Sequence, residues 1–196
     1  MSSDTVIDVT DNEPDQPRSA FSLTEGRERG YHPAAVDTFL AAARESFEKQ
    51  LDELTAADIR MASFPLVKNG YDIGEVDAAL GRIEDAFAAR RRERVVREEG
   101  VENWIGQARS EAQIILDHLA RRRRHKFART GLLTFGYRVD EVDHVAARIV
   151  RYLRDGDALS VEQLRSAAFR MQRGGYREEQ VDALLDATID VILAVR

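Results

Sequence analysis

The chain has 196 residues, 43% of them hydrophobic, enough to build the core of one medium domain or two small ones. It contains no cysteine, so disulfides, thiolate zinc sites and cysteine nucleophiles are excluded. The formal net charge of -6 is unevenly spread: residues 90–129 hold twelve Arg or Lys against six Asp or Glu, a basic middle between acidic flanks.

Residues 1–20 carry five acidic side chains together with Pro14 and Pro17 and no apolar run, a pattern expected of a disordered acidic tail and opposite to a secretory signal. No segment approaches the roughly 18 consecutive apolar residues of a spanning helix. A cytoplasmic protein is therefore expected.

Beyond the tail one motif dominates. A Gly-Tyr pair followed, after four residues, by Val-Asp occurs four times: Gly30-Tyr31 with Val36-Asp37, Gly70-Tyr71 with Val76-Asp77, Gly136-Tyr137 with Val142-Asp143, and Gly175-Tyr176 with Val181-Asp182. Recurrence at fixed spacing marks a supersecondary unit used in copies, and it argues against a single catalytic centre. The copies are paired, because Tyr31 and Tyr71 are 40 residues apart and Tyr137 and Tyr176 are 39, with 66 between the pairs.

Copies two and four share a lead-in, Leu54-Thr55-Ala56-Ala57-Asp58-Ile59 to Phe64 and Leu159-Ser160-Val161-Glu162-Gln163-Leu164 to Phe169, whereas copies one and three share Phe21 and Phe127. Thr55 with Asp58 and Ser160 with Gln163 are capping pairs, so each lead-in is predicted to be a short helix. The glycine that follows is expected to supply a positive φ. The residue after each tyrosine is the expected N-cap of a second helix, with Pro33 in the first helical position. Glu75, Glu141 and Gln180 are placed to return a hydrogen bond to that cap.

The second helices show apolar spacing of helical period: Val36, Phe39, Leu40, Ala43, Phe47; Val76, Leu80, Ile83, Phe87; Val142, Val145, Ile149, Leu153; and Val181, Leu184, Leu185, Ile189, Ile192. Between the pairs Val101, Ile105, Ala108, Ala112, Ile115 and Leu119 form a narrow seam suited to a helix partner, after a break expected at Gly100. No β pattern competes. The expectation is an all-α fold of tandem units in two pairs: residues 21–98 the first pair, 99–126 a basic connecting helix and 127–196 the second pair.

Little here suggests chemistry. The repeated aspartates fall in the first turns of helices, where a negative charge suits the macrodipole, and the tyrosines are expected to anchor the turn against the following helix. His118 and His125 have no third ligand at metal-binding spacing, and no phosphate loop, nucleophile elbow or dinucleotide fingerprint occurs. No catalytic residue, metal or cofactor is assigned. The basic clusters Arg90-Arg91-Arg92 and Arg121-Arg122-Arg123-Arg124, the latter expected to wrap around a helix, are either solvated and balanced by the acidic flanks or an anionic-surface contact. Nucleic acid is the less favoured partner in an acidic chain with no base-reading motif.

The stretch from Leu54-Thr55 through Phe64, Gly70-Tyr71-Asp72 and Glu75-Val76-Asp77 to Leu80 resembles the N-terminal domain of the DivIVA family. Copy four fits the same frame in Leu159-Ser160, Leu164, Phe169, Gly175-Tyr176, Val181-Asp182 and Leu185, and copies one and three fit from the turn onward. The resemblance implies a non-catalytic cytoplasmic scaffold of a high-GC Gram-positive bacterium, acting on partners in cell division or polar growth, at the membrane, septum or pole. A peripheral anionic-membrane binder is the alternative. Where the family places its membrane-inserting aromatic and arginine, this chain has Glu28-Arg29, Lys68-Asn69, Thr134-Phe135 and Arg173-Gly174, so that a basic surface or Phe135 with Leu132 and Leu133 is the substitute expected, and it lacks the family's long coiled-coil tail. The family's side-by-side association implies that copy one packs on copy two and copy three on copy four, giving a compact adaptor; further self-association is left open.

Overall fold

The computed structural model describes residues 20–195, so the acidic tail lies outside the described residues apart from its last position. The first pair comprises β1 (Arg29–Tyr31), α1 (Pro33–Glu48), α2 (Ala56–Arg60), β2 (Leu66–Lys68) and α3 (Ile73–Glu99). Then come α4 (Val101–Leu119), β3 (Phe135–Tyr137), α5 (Val139–Asp155), α6 (Val161–Arg165), β4 (Met171–Arg173) and α7 (Glu178–Val195).

The helices start where the sequence places them. Thr55 and Ser160 each close a full capping box on α2 and α6. Asp72 caps α3 by accepting from the Glu75 amide at 2.9 Å. His32 and Arg138 precede α1 and α5, and Pro33 sits in the first turn of α1.

The fold is mostly helical but not all-α. β1 pairs antiparallel with β2, and β3 with β4, in two separate two-stranded ribbons. Each ribbon joins an odd copy to the even copy that follows it. Strands of three residues carry no readable alternation, so they form only because the partner backbone is at hand.

Two cores result. Val36, Ile59, Tyr71, Val76, Leu80 and Phe87 fill the first pair. The second is larger, running from Ile115 and Leu119 of α4 through Val142, Ile149 and Leu164 to Tyr176 and Ile192. The connecting helix is therefore part of the second core, and it ends at Leu119 rather than reaching residue 126. Its seam is only half used: Ala108, Ile115 and Leu119 are buried, whereas Val101 and Ile105 are exposed. Trp104, off that seam, is buried instead and donates from Nε1 to the Ala194 carbonyl at 2.8 Å, tying α4 to the end of α7.

The two pairs meet around one buried carboxylate. Glu84 of α3, 1% exposed, accepts from Arg60 at 2.7 Å and from Arg165 at 2.6 Å. These arginines occupy the same place in their copies, directly after Ile59 and Leu164. Arg60 also reaches Asp190 at 2.6 Å, and Arg165 reaches Asp85 at 2.9 Å, two aspartates likewise equivalent in the repeat. The interface is thus pseudo-twofold, broken at its centre, where the counterpart of Glu84 is Ile189. A carboxylate held between two guanidinium groups offsets a desolvation cost that it could not bear alone.

Candidate functional site

In each pair the two Gly-Tyr segments cross in contact. The amide of Tyr31 donates to the Tyr71 carbonyl at 3.0 Å and that of Tyr71 returns to the Tyr31 carbonyl at 2.8 Å; Tyr137 and Tyr176 exchange the same bonds at 2.9 Å each. A Cβ at Gly30 would strike the backbone of Tyr71 and Gly70, and one at Gly136 the backbone of Tyr176. None of the four motif glycines is among the positive-φ positions, which among the described residues are Gly26, Gly100, Gly156 and Gly174 together with Gln50, Asn69 and Arg124. Glycine serves the close approach of two chains, correcting the expected role in turn conformation.

The tyrosines and aspartates of the motif also work across copies. Tyr71 donates to Asp37 at 3.2 Å, Tyr137 to Asp182 at 3.3 Å and Tyr176 to Asp143 at 3.0 Å, and Tyr31 is hydrogen-bonded to Asp77. Each tyrosine is therefore anchored on its partner's helix and not, as expected, on its own. Burial, reinforced by the neighbouring carboxylate, pushes the Tyr137 phenol up to about 12. Burial does the same for Tyr176, also to about 12. Burial likewise raises Asp77 and Asp182 above the usual carboxylate range. Glu75, Glu141 and Gln180 cross too, accepting from the amides of Ser22, Arg170 and Ala128 rather than returning to their own caps. The conserved chemistry of the repeat is spent on holding copies together.

The arginine clusters divide in the same way. The Arg90 guanidinium donates to the carbonyls of Ser46 at 2.9 Å and Phe47 at 3.0 Å, closing the end of α1, and stacks 4.5 Å over Phe87. Arg91 lies over Trp104, and Arg92 is half-buried. Arg90 is thus committed to the fold, whereas Arg91 remains exposed. Arg121, Arg122, Arg123 and Arg124 lie beyond α4 in an irregular loop, all exposed, which corrects their expected helical setting. Lys126, not they, caps α4 at the Leu119 carbonyl and also binds the Arg121 carbonyl just beyond it, while the Arg124 amide donates to Asp143 at 2.7 Å.

What sets the second pair apart is a turn. Before β1, Glu28 donates its amide to the Glu25 carbonyl at 3.2 Å; before β3, Thr134 donates to Gly131 at 2.9 Å, closing a turn of the same length. Its two tip residues are Gly26 and Arg27 in the first pair and Leu132 and Leu133 in the second. The leucines are 89% and 86% exposed. Beside them Phe135 is half-exposed, with Arg173 stacked 5.5 Å from its ring centroid. Arg129 donates to the Gly174 carbonyl at 3.0 Å at the base of the turn, and Arg177 lines the recess next to Phe135. The result is an apolar tip with three arginines around its base, the recess beside Phe135 being bordered as well by Glu178, Glu179 and Asp182. The equivalent turn of the first pair has the same length and closing bond with a polar tip, its Gly26 at φ 65, so the ribbon does not require leucines there.

Among the described residues no group of side chains could hold a metal ion, and no helix is long and apolar enough to cross a membrane. The Arg60–Glu84–Arg165 cluster lines a cleft between the pairs of about 400 Å³, which Asp77, Asp182 and Asp186 also border. No protein-family model, curated protein or solved structure matches this chain.

Proposed function

We propose that this protein is a non-catalytic adaptor, resembling DivIVA-repeat scaffolds of bacterial division or polar growth, that docks on an anionic membrane surface through the turn carrying Leu132 and Leu133. The observation supporting this reading is the contrast between two equivalent turns, one tipped by Gly26-Arg27 and the other by a fully exposed leucine pair. Exposed leucines side by side with no packing role are placed to enter a bilayer interface, each supplying about 1.5–3 kcal/mol when buried. Arg129, Arg173 and Arg177 around the tip would each add about 1 kcal/mol near anionic headgroups. Binding of this kind is reversible, as suits a protein that recruits partners.

The test is co-sedimentation with vesicles of phosphatidylglycerol and phosphatidylcholine, and of phosphatidylcholine alone. The proposal expects binding to the anionic vesicles that weakens with salt and is lost in the Leu132→Ser, Leu133→Ser double variant, while Arg27→Leu does not weaken it. Absence of sedimentation would overturn membrane docking and leave the tip as a protein-partner contact. Loss on neutralising Arg121 to Arg124, with the leucine variant unaffected, would move the contact to that loop.

A further inference from the structure

Helices α3 and α4 are interrupted at a single residue. The amide of Gly100 still donates to Val96 at 3.1 Å, as in a helix, and its carbonyl already accepts from Trp104 at 3.3 Å. Only its own dihedrals, φ 90 and ψ 157, break the ladder. That region is open essentially to glycine alone. No side chain caps the start of α4 at Gly100. Nothing packs on Gly100: no atom would lie within 4 Å of a Cβ there.

Just past this joint Val101 and Ile105 are 53% and 42% exposed. The second core, with α4 inside it, is joined to the first pair covalently through Gly100 and by contacts along α3: the cluster formed by Arg60, Glu84, Asp85, Arg165 and Asp190, Ala88 against the second core, and Arg91 over Trp104. A helical Gly100 would restore the missing backbone bonds and fuse α3 and α4 into one helix over residues 73–119, about 70 Å long. That movement carries the second pair away from the first.

We propose that the partner fitted to this interface is a second copy of the chain, in a dimer exchanged about Gly100. Each first pair takes the second pair of the other molecule, remaking Arg60–Asp190 and Arg165–Asp85 between chains. The straightened helices run beside one another at the crossover, where Val101 and Ile105 are covered. Every interface of the monomer is kept, so the equilibrium between the forms rests on one glycine and two exposed apolar residues. The inference does not depend on membrane binding, though a dimer would carry two leucine tips.

The test is sedimentation velocity of the full chain across a concentration series. Gly100→Ala, which disfavours the bent joint and favours the helix, should lower the dimer dissociation constant at least tenfold; insertion of three glycines after Gly100 should leave a monomer at every concentration. Specific exchange is read by mixing Gly100→Ala chains bearing Asp85→Arg with Gly100→Ala chains bearing Arg165→Asp. An exchanged heterodimer returns one interface to its native charges and sets the two substituted positions, of opposite charge, against each other at the second, so it should form in preference to either homodimer. A folded, monomeric Gly100→Ala protein would overturn the proposal, as would a dimer in which the two charge variants show no preference for each other.

Discussion

The hydroxyl of Tyr176, on a ring with no solvent exposure, donates to Oδ1 of Asp143 across 3.0 Å and so joins the turn of copy four to the helix of copy three. Asp143 uses its other oxygen on the Arg124 amide at 2.7 Å. The pair is the point where the motif of one copy reads that of its neighbour. Tyr176→Ala should cost about 3–5 kcal/mol through the cavity it leaves, and Tyr176→Phe about 1–2 kcal/mol through the lost bonds to Asp143 and from the Lys126 amide. In urea titrations, Tyr176→Phe and Asp143→Ala together should cost less than their sum, since both remove the same contact; strict additivity would show that the bond contributes nothing.

The four motif glycines should be intolerant for a reason unrelated to φ. Gly136→Ala places a methyl group against the Tyr176 backbone, which cannot withdraw without breaking the reciprocal Tyr137 and Tyr176 bonds. A loss of about 3 kcal/mol is expected. Gly106→Ala, inside α4 with open space around it, should instead stabilise by about 1 kcal/mol. Thermal melts of the two variants should move in opposite directions.

Glu84→Ala should cost about 3 kcal/mol, because it leaves Arg60 and Arg165 facing each other with only their outer aspartates. The loss should persist in high salt, since the carboxylate is out of reach of counter-ions. A melting temperature that recovers in 1 M salt would mean that the cluster is wet.

Stability should also fall in alkali. Tyr137 and Tyr176 are both pushed up to about 12 by burial, against an ordinary phenol value of 10.0. A group whose pKa is raised on folding contributes stability that is complete below its unfolded value and lost as pH rises through the folded one. The loss should therefore run from about pH 10 to pH 12, and it should be smaller in Tyr176→Phe. Melting temperature against pH, with tyrosinate absorbance recorded in parallel, checks this; flat stability to pH 12 would contradict it.

The local elements were legible because their signals are local. Capping boxes at Thr55 and Ser160, the cap at Asp72, Pro33 at a helix start and the break at Gly100 are each set within a few residues, and the helices begin and end near them. The apolar lists miss Val191 and Leu193, which are buried because α7 is enclosed on more than one side, a circumstance that periodicity along one face does not record. Leu132 and Leu133 stood in view, but only their exposure, set against the equivalent Gly26 and Arg27, marks them as a site.

The sequence by itself determined that the chain is built from paired copies, that most of it is helical and where the helices start. Only the tertiary structure decided what the motif is for. Gly30, Tyr31 and Asp37 look like a turn, an anchor and a helix start when taken along the chain, yet each meets its partner in the neighbouring copy, through a backbone crossing, a hydroxyl bond and the bond that returns. The same holds for Arg90, which reads as surface charge and serves as the cap of α1. Propensity and periodicity report forces between residues a few positions apart, whereas these contacts join residues more than thirty apart, and their energy exists only once the copies have packed.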